Sequence, residues 1–263
     1  MRWVLIFLAL PFAAAATDYD REVDVELFLA VDVSRSMSPA ELEIQRRGYA
    51  EALRSPEVVE AIQSGLLGRI AITYVEWAGQ GSQRVVVDWT RVETHDDARA
   101  FAQALDTTFN PAMRRTSISD VLIFAAESID ANDYHGLRRV IDVSGDGPNN
   151  SGRPVLRARD TVLSRGLIIN GLPLMTRDGM YTSFNLDDLD VYYRACVIGG
   201  PGAFVIPVLD WSEFAAAVRK KLVLEIAGLP NHVVPVQISA PATYDCMIGE
   251  KMWEQMRRTF DLP

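Results

Sequence analysis

The segment Glu26-Leu27-Phe28-Leu29-Ala30-Val31 reads as a strand buried on both faces. It breaks off into Asp32-Val33-Ser34-Arg35-Ser36 just before Pro39 opens a helical stretch. Strands buried on both faces belong to sheets covered by helices on either side. A carboxylate and two hydroxyls are therefore expected together in a strand-to-helix loop, where an open α/β sheet places its ligand sites. Oxygen donors of this kind suit a hard cation such as Mg²⁺.

The rest of the chain extends the same alternation. Strand patterns at 23–31, 69–77, 83–89, 139–144, 167–174 and 204–209 are interleaved with helical patterns at 39–53, 56–65, 97–105, 119–130, 155–165, 186–197 and 212–227. Ser38 before Pro39 and Ser55 before Pro56 supply a cap and a first-turn proline for the first two helices. The short Gly79-Gln80-Gly81-Ser82 turn makes the second and third strands an antiparallel hairpin, and the polar alternation around Trp89 suits a sheet edge. The expected fold is α/β: a doubly wound, mostly parallel sheet with one antiparallel edge strand and helices on both faces. From Gly228 the pattern stops, leaving residues 229–263 as a proline-rich tail with one helix around 250–259.

The first residues read differently. Met1-Arg2, an apolar run from Trp3 to Phe12 and Ala13-Ala14-Ala15-Ala16 make a secretory signal peptide over residues 1–16. About 14 apolar residues fall short of the roughly 20 that a spanning helix needs. Residues 17–228 are then the folded domain of an exported chain, periplasmic or secreted, with no membrane span after cleavage. The formal net charge of −9 argues against nucleic acid and anionic membranes as partners. Cleavage would remove one positive charge, Arg2, and no acidic residue. Two cysteines, Cys196 and Cys246, are more readily read as a bridge than as free thiols in an exported chain. The loop closed is about 50 residues, worth roughly 4 kcal/mol by chain entropy.

Two further loops join the first. Arg114-Arg115-Thr116 places a hydroxyl just before a helix, and Gly145-Asp146-Gly147 places a carboxylate at the end of a strand. If the first and fourth strands are neighbours, Asp32, Ser34, Ser36, Thr116 and Asp146 converge at the carboxyl end of the sheet. Each fragment also has a plainer reading: Ser36, Ser38 or Thr116 as a helix cap, Asp146 as a turn residue. Asp142, inside the strand, must be hydrogen-bonded or paired if buried. It is expected to be structural or to support the ligands rather than to be one.

Asp-x-Ser-x-Ser followed by Met37, then Thr116 and then Asp146-Gly147 resembles the von Willebrand factor A-type domain. Thr116 follows Asp32 by 84 residues and Asp146 follows Thr116 by 30, spacings that suit that family. The resemblance covers roughly Val23 to Ala227. It implies a six-stranded sheet in the order 3-2-1-4-5-6 and a metal-ion-dependent adhesion site built from those five residues. Arg114-Arg115 and Gly145 depart from the residues common at those positions, and the two arginines would bias the mouth toward anionic partners. With its signal and cysteine pair, the chain is similar to secreted bacterial proteins of this type grouped only as a domain of unknown function.

The resemblance implies a binding module, not an enzyme. A bound Mg²⁺ or Mn²⁺ would be completed by an Asp or Glu carboxylate of a protein partner, giving adhesion or assembly. The competing readings are a scaffold stabilised by its metal and a metal-assisted phosphohydrolase with Asp32 as nucleophile. For the latter, Ser34 stands where a second Asp would act as acid and base. No Gly-x-Ser-x-Gly elbow, phosphate loop or His-Glu-x-x-His helix is present either.

Overall fold

The computed structural model describes residues 19–106, 114–176, 186–228 and 244–260. The expected signal peptide and the start of the tail lie outside the described residues. Five strands form the sheet: β1 (Glu22–Asp32), β2 (Ile70–Trp77), β3 (Gln83–Val92), β4 (His135–Gly145) and β5 (Ile168–Pro173), in the order β3-β2-β1-β4-β5. All pairings are parallel except β2 with β3, the expected hairpin at the edge. β1 is the central strand and pairs with β4, with Val31 opposite Ser144.

Alternation along β1 divides the core. Leu27, Leu29 and Val31 face one hydrophobic cluster with α1 (Pro39–Leu53), α2 (Pro56–Gln63), α3 (His95–Ala104) and α7 (Phe214–Ala227). Phe28 and Ala30 face the other, with α4 (Ile118–Ala131), α5 (Val155–Ser164) and the short α6 (Leu189–Tyr192). Helices therefore cover both faces of the sheet. α8 (Ile248–Phe260) follows Cys246, which is bridged to Cys196 just after α6. Among the described residues no helix is long and apolar enough to cross a membrane.

The expected sixth strand is a correction. Residues 204–208 lie beside β5, where that strand would run, but make only two isolated bridges, Gly171 with Val205 and Leu174 with Val208. Gly171 donates to the Phe204 carbonyl, Ile206 to Gly171, Val208 to Pro173 and Met175 to Val208. The missing rung is the one residue 173 would donate, and proline has no amide hydrogen. The β-rich composition of 204–209 reads as a strand, but the partner strand cannot complete the ladder.

Asp142 on β4 is buried and pairs with the Nζ of Lys221 on α7 at 2.7 Å. Lys221 is fully buried and also pairs with Glu225, one turn on. Asn170 of β5 donates to Glu225 at 2.9 Å. Burial, then the Asp142 charge, pushes the Glu225 carboxyl up to about 7. Desolvated charges of this kind hold only as a set. Lys221→Met is expected to destabilise the domain by about 3–5 kcal/mol in urea unfolding at neutral pH. The loss should shrink toward pH 5, where the stranded carboxyls take up protons. Equal losses at both pH values would show that the cluster is not held by charge.

Candidate metal centre

β1 ends at Asp32, and the chain turns at once. Asp32 Oδ1 accepts the Ser34 amide at 2.7 Å, and the Met37 amide bonds back to the Ser34 carbonyl at 3.0 Å. Ser38, not Ser36, caps α1, in a reciprocal capping box with Glu41. Ser36 is thus left to face inward. Its hydroxyl donates to Asp146 Oδ1 at 2.9 Å and lies 3.0 Å from the Ser34 hydroxyl. The Asp32 carbonyl accepts from Gln45 Nε2 at 3.0 Å, which ties the strand end to α1. Asp32, Ser34, Ser36 and Asp146 are therefore joined in one polar chain at the carboxyl end of the two central strands.

Thr116, in the loop before α4, is fastened by its backbone to the loop that follows β4. Its amide donates to Asn150 Oδ1 at 2.9 Å, and its carbonyl accepts the Asn150 amide at 2.9 Å. The next amide, Ser117, donates to the Ala78 carbonyl at the end of β2. Ser117, not Thr116, occupies the cap position of α4, so the plainer reading of Thr116 as a cap does not hold. Asn149 completes the bracing: its Oδ1 accepts the Ser119 amide at 2.9 Å. Both asparagines read in the sequence as turn residues after β4. Both are buried, Asn150 stitching the loop after β4 to the loop before α4 and Asn149 to the first turn of that helix.

Asp32 Oδ2 is buried and has no hydrogen-bond partner. A Cβ on Gly145 would come within 2.9 Å of that oxygen and 3.0 Å of the Tyr193 hydroxyl, which is also buried and unpartnered. Glycine at 145, where the family resemblance leads one to expect a larger residue, is what admits Tyr193 to this side of the centre. Tyr193 was not legible beforehand; only a Tyr-Tyr pair at 192–193 marked it. Burial, then the charge of Asp146, drives the Asp32 carboxyl well above the usual carboxylate range. Asp146, which keeps some solvent access, is pushed up to about 6, with burial the main cause.

Two carboxylates set close, one desolvated with a bare oxygen, are electrostatically unfavourable by themselves. The two hydroxyls and two carboxylates of this polar chain fit a hard divalent cation, which would supply the missing positive charge and occupy the orphaned oxygen. Among the described residues no group of three or more His, Cys, Asp or Glu is gathered to hold a metal ion, this centre with its two carboxylates included. Asp142 makes no bond to these five residues; its partner is Lys221.

Arg114 and Arg115 sit at the rim, both exposed. Arg115 has φ +67°, and its guanidinium lies 4.3 Å over the Trp253 ring of α8. Cys196 and Cys246 form the expected disulfide, with Cα atoms 5.5 Å apart.

The sheet order, the edge hairpin and the loops gathered at the carboxyl end of the central strands are those of a von Willebrand factor A-type domain. The chain belongs to the family described as protein of unknown function DUF1194, which it matches over residues 22–230. Among solved structures it is similar to the pilus adhesin SpaC of Lactobacillus rhamnosus GG, at 12% identity and TM-score 0.58, over 78% of this chain and 31% of the adhesin. Proximal thread matrix protein 1 of the mussel byssus, described with a zinc-occupied MIDAS motif, aligns at 14% identity and TM-score 0.53 over 78% of this chain and 48% of its own. A von Willebrand factor type A protein from Catenulispora acidiphila aligns at 15% identity and TM-score 0.51 over 78% and 43%. The chain spans less than half the length of each. No curated protein sequence matches it.

Raised carboxyls make a sign-specific prediction for chelator-treated protein. Above the ordinary carboxylate range the folded state holds protons that the unfolded chain has released, so stability falls as pH rises. Asp32→Asn should raise the thermal midpoint at about pH 8 and shallow the decline from about pH 5, since an amide removes the like charge and keeps the Ser34 bond. A lower midpoint than wild type at the higher pH would mean that Asp32 and Asp146 do not repel as inferred.

Proposed function

We propose that this protein is a divalent-cation-dependent binding module. Asp32, Ser34, Ser36, Thr116 and Asp146 hold Mg²⁺ or Mn²⁺, and an Asp or Glu carboxylate of a protein partner completes the coordination. The observation that carries this reading is the unpartnered, buried Asp32 Oδ2, set in a polar chain that includes a second carboxylate. A cation held by two carboxylates and neutral oxygens keeps positions open for waters or an incoming ligand. The domain supplies the frame, adhesion or assembly the use. Export to the periplasm or beyond fits both the reading of residues 1–16 and the disulfide.

Catalysis is not part of the proposal. Ser34 donates its amide to Asp32 and places its hydroxyl against Ser36, so no acid or base stands two residues after a nucleophile. Nor is Asp32 placed as an exposed nucleophile, being fully buried.

Titration calorimetry of metal-stripped protein with Mg²⁺ and Mn²⁺, run beside Asp32→Ala, tests the reading. Wild type is expected to bind one equivalent, and the variant none while keeping its far-ultraviolet circular dichroism. Because metal ligands must be deprotonated and both carboxyls are raised, affinity should fall as pH is lowered and fall further through about pH 6, where Asp146 takes up its proton. Unchanged affinity in Asp32→Ala would falsify the ligand assignment.

A further inference from the structure

The face beside the candidate centre is built in part by the tail. A cavity of about 510 Å³ lies there, with Arg114, Arg115 and Asn150 on the domain side and Glu250 and Trp253 of α8 on the other. Several contacts hold α8 in place, among them the packing of Ile248 against the core. The Cys196–Cys246 disulfide anchors the residues before it. Asn149 Nδ2 donates to Glu250 Oε1 at 2.7 Å. The helix start also lies so close to the loop after β4 that a Cβ on Gly249 would fall 2.1 Å from the Asn149 carbonyl oxygen. The asparagines that brace the centre therefore seat the helix too: Asn149 contacts α8, and Asn150 both lines the cavity and pairs with the Thr116 backbone.

Charge in this cavity runs against the rest of the molecule. The chain carries a formal net charge of −9, yet the rim has two arginines. The acid facing them, Glu250, is half-buried, tied to Asn149, and shifted toward its neutral form by burial. Arg115 adopts a left-handed backbone conformation that is unfavourable for a non-glycine residue. That conformation accompanies the stacking of its guanidinium on Trp253. Arg114 is exposed beside it.

We infer that the disulfide-tethered helix α8 and Arg114-Arg115 form a second recognition pocket for an acidic segment of the protein partner, next to the carboxylate that completes the metal. This rests on the binding-module reading and adds the partner's chemistry to it: more than one acidic side chain, so spaced that one reaches the cation while another pairs with the arginines. Guanidinium groups suit that task because they bind carboxylates in a two-pronged fork. The disulfide thereby acquires a role in binding, because it holds one wall of the pocket.

The test uses the oxidised mature chain and a fluorescein-labelled peptide of alternating Asp and Gly, with a Lys-Gly peptide as control. Fluorescence anisotropy is read with and without Mg²⁺, and Mg²⁺ affinity is measured separately by calorimetry on each variant. Saturable binding of the acidic peptide alone is expected, weakened about tenfold in Arg114→Gln with Arg115→Gly, the glycine being at ease at positive φ. Cys246→Ser is expected to weaken the peptide similarly while Mg²⁺ binding persists, which also shows that this variant folds. Equal peptide affinity in the arginine variant, or no saturable binding by wild type that still binds Mg²⁺, overturns the pocket and leaves the metal reading standing. Wild-type affinity in Cys246→Ser removes α8 from the pocket. Peptide binding that depends on the arginines in a protein that takes up no Mg²⁺ upholds the pocket and overturns the metal reading instead.

Discussion

Parallel pairing of β1 with β4 sets Val31 opposite Ser144 and so brings the end of one strand, Asp32, against Gly145 at the end of the other. Both strands stop at the same level of the sheet, and both are followed by loops that must find polar partners. The loop after β1 satisfies itself through the Asp32–Ser34 turn and the Ser38–Glu41 capping box, which leaves Ser36 to reach Asp146 across the strand boundary. The loop after β4 spends Asn150 on the loop before α4 and Asn149 on the first turn of that helix. A shift of one residue in this register would turn Asp32 to the opposite face of the sheet and dismantle all of it.

The residues readable in advance were those whose chemistry is local. Asp32, Ser34 and Ser36 announce themselves because a strand buried on both faces ends in oxygen donors, and five of the strands follow from the same apolar runs. Thr116 and Asp146 become meaningful only when sheet order is added, since nothing nearby in sequence says that β1 and β4 are adjacent. What stayed hidden depends on contacts across long separations. Tyr193 reaches the centre only because Gly145 lacks a side chain. Asn149 and Asn150 look like ordinary turn residues until their partners at Thr116 and Ser119 are known. Lys221 follows two exposed cations, Arg219 and Lys220, in the helical pattern, and only Asp142 on the sheet and Glu225 one turn on explain its burial. The sixth strand was misread because Pro173, which denies it a rung, belongs to its neighbour.

Asp142 and Asp32 show two ways in which the fold treats a buried acid. Both lie on the two central strands and both are essentially inaccessible to water. Asp142 is matched within the protein: α7 delivers Lys221 to it, and Glu225 and Asn170 complete the set. Such a group needs nothing from outside. Asp32 has a hydrogen bond for one oxygen and none for the other, and its strongest charged neighbour is a second carboxylate, Asp146. A chain able to bury a lysine against one aspartate has the means to neutralise another, yet Asp32 is left without a basic partner. Desolvating a carboxylate without a counter-charge costs several kcal/mol, and such a cost persists where it prepares a site for a charge from outside. The arginines of the neighbouring rim do not make up that difference: Arg115 stacks on Trp253 of α8, and Arg114 lines the cavity beside it.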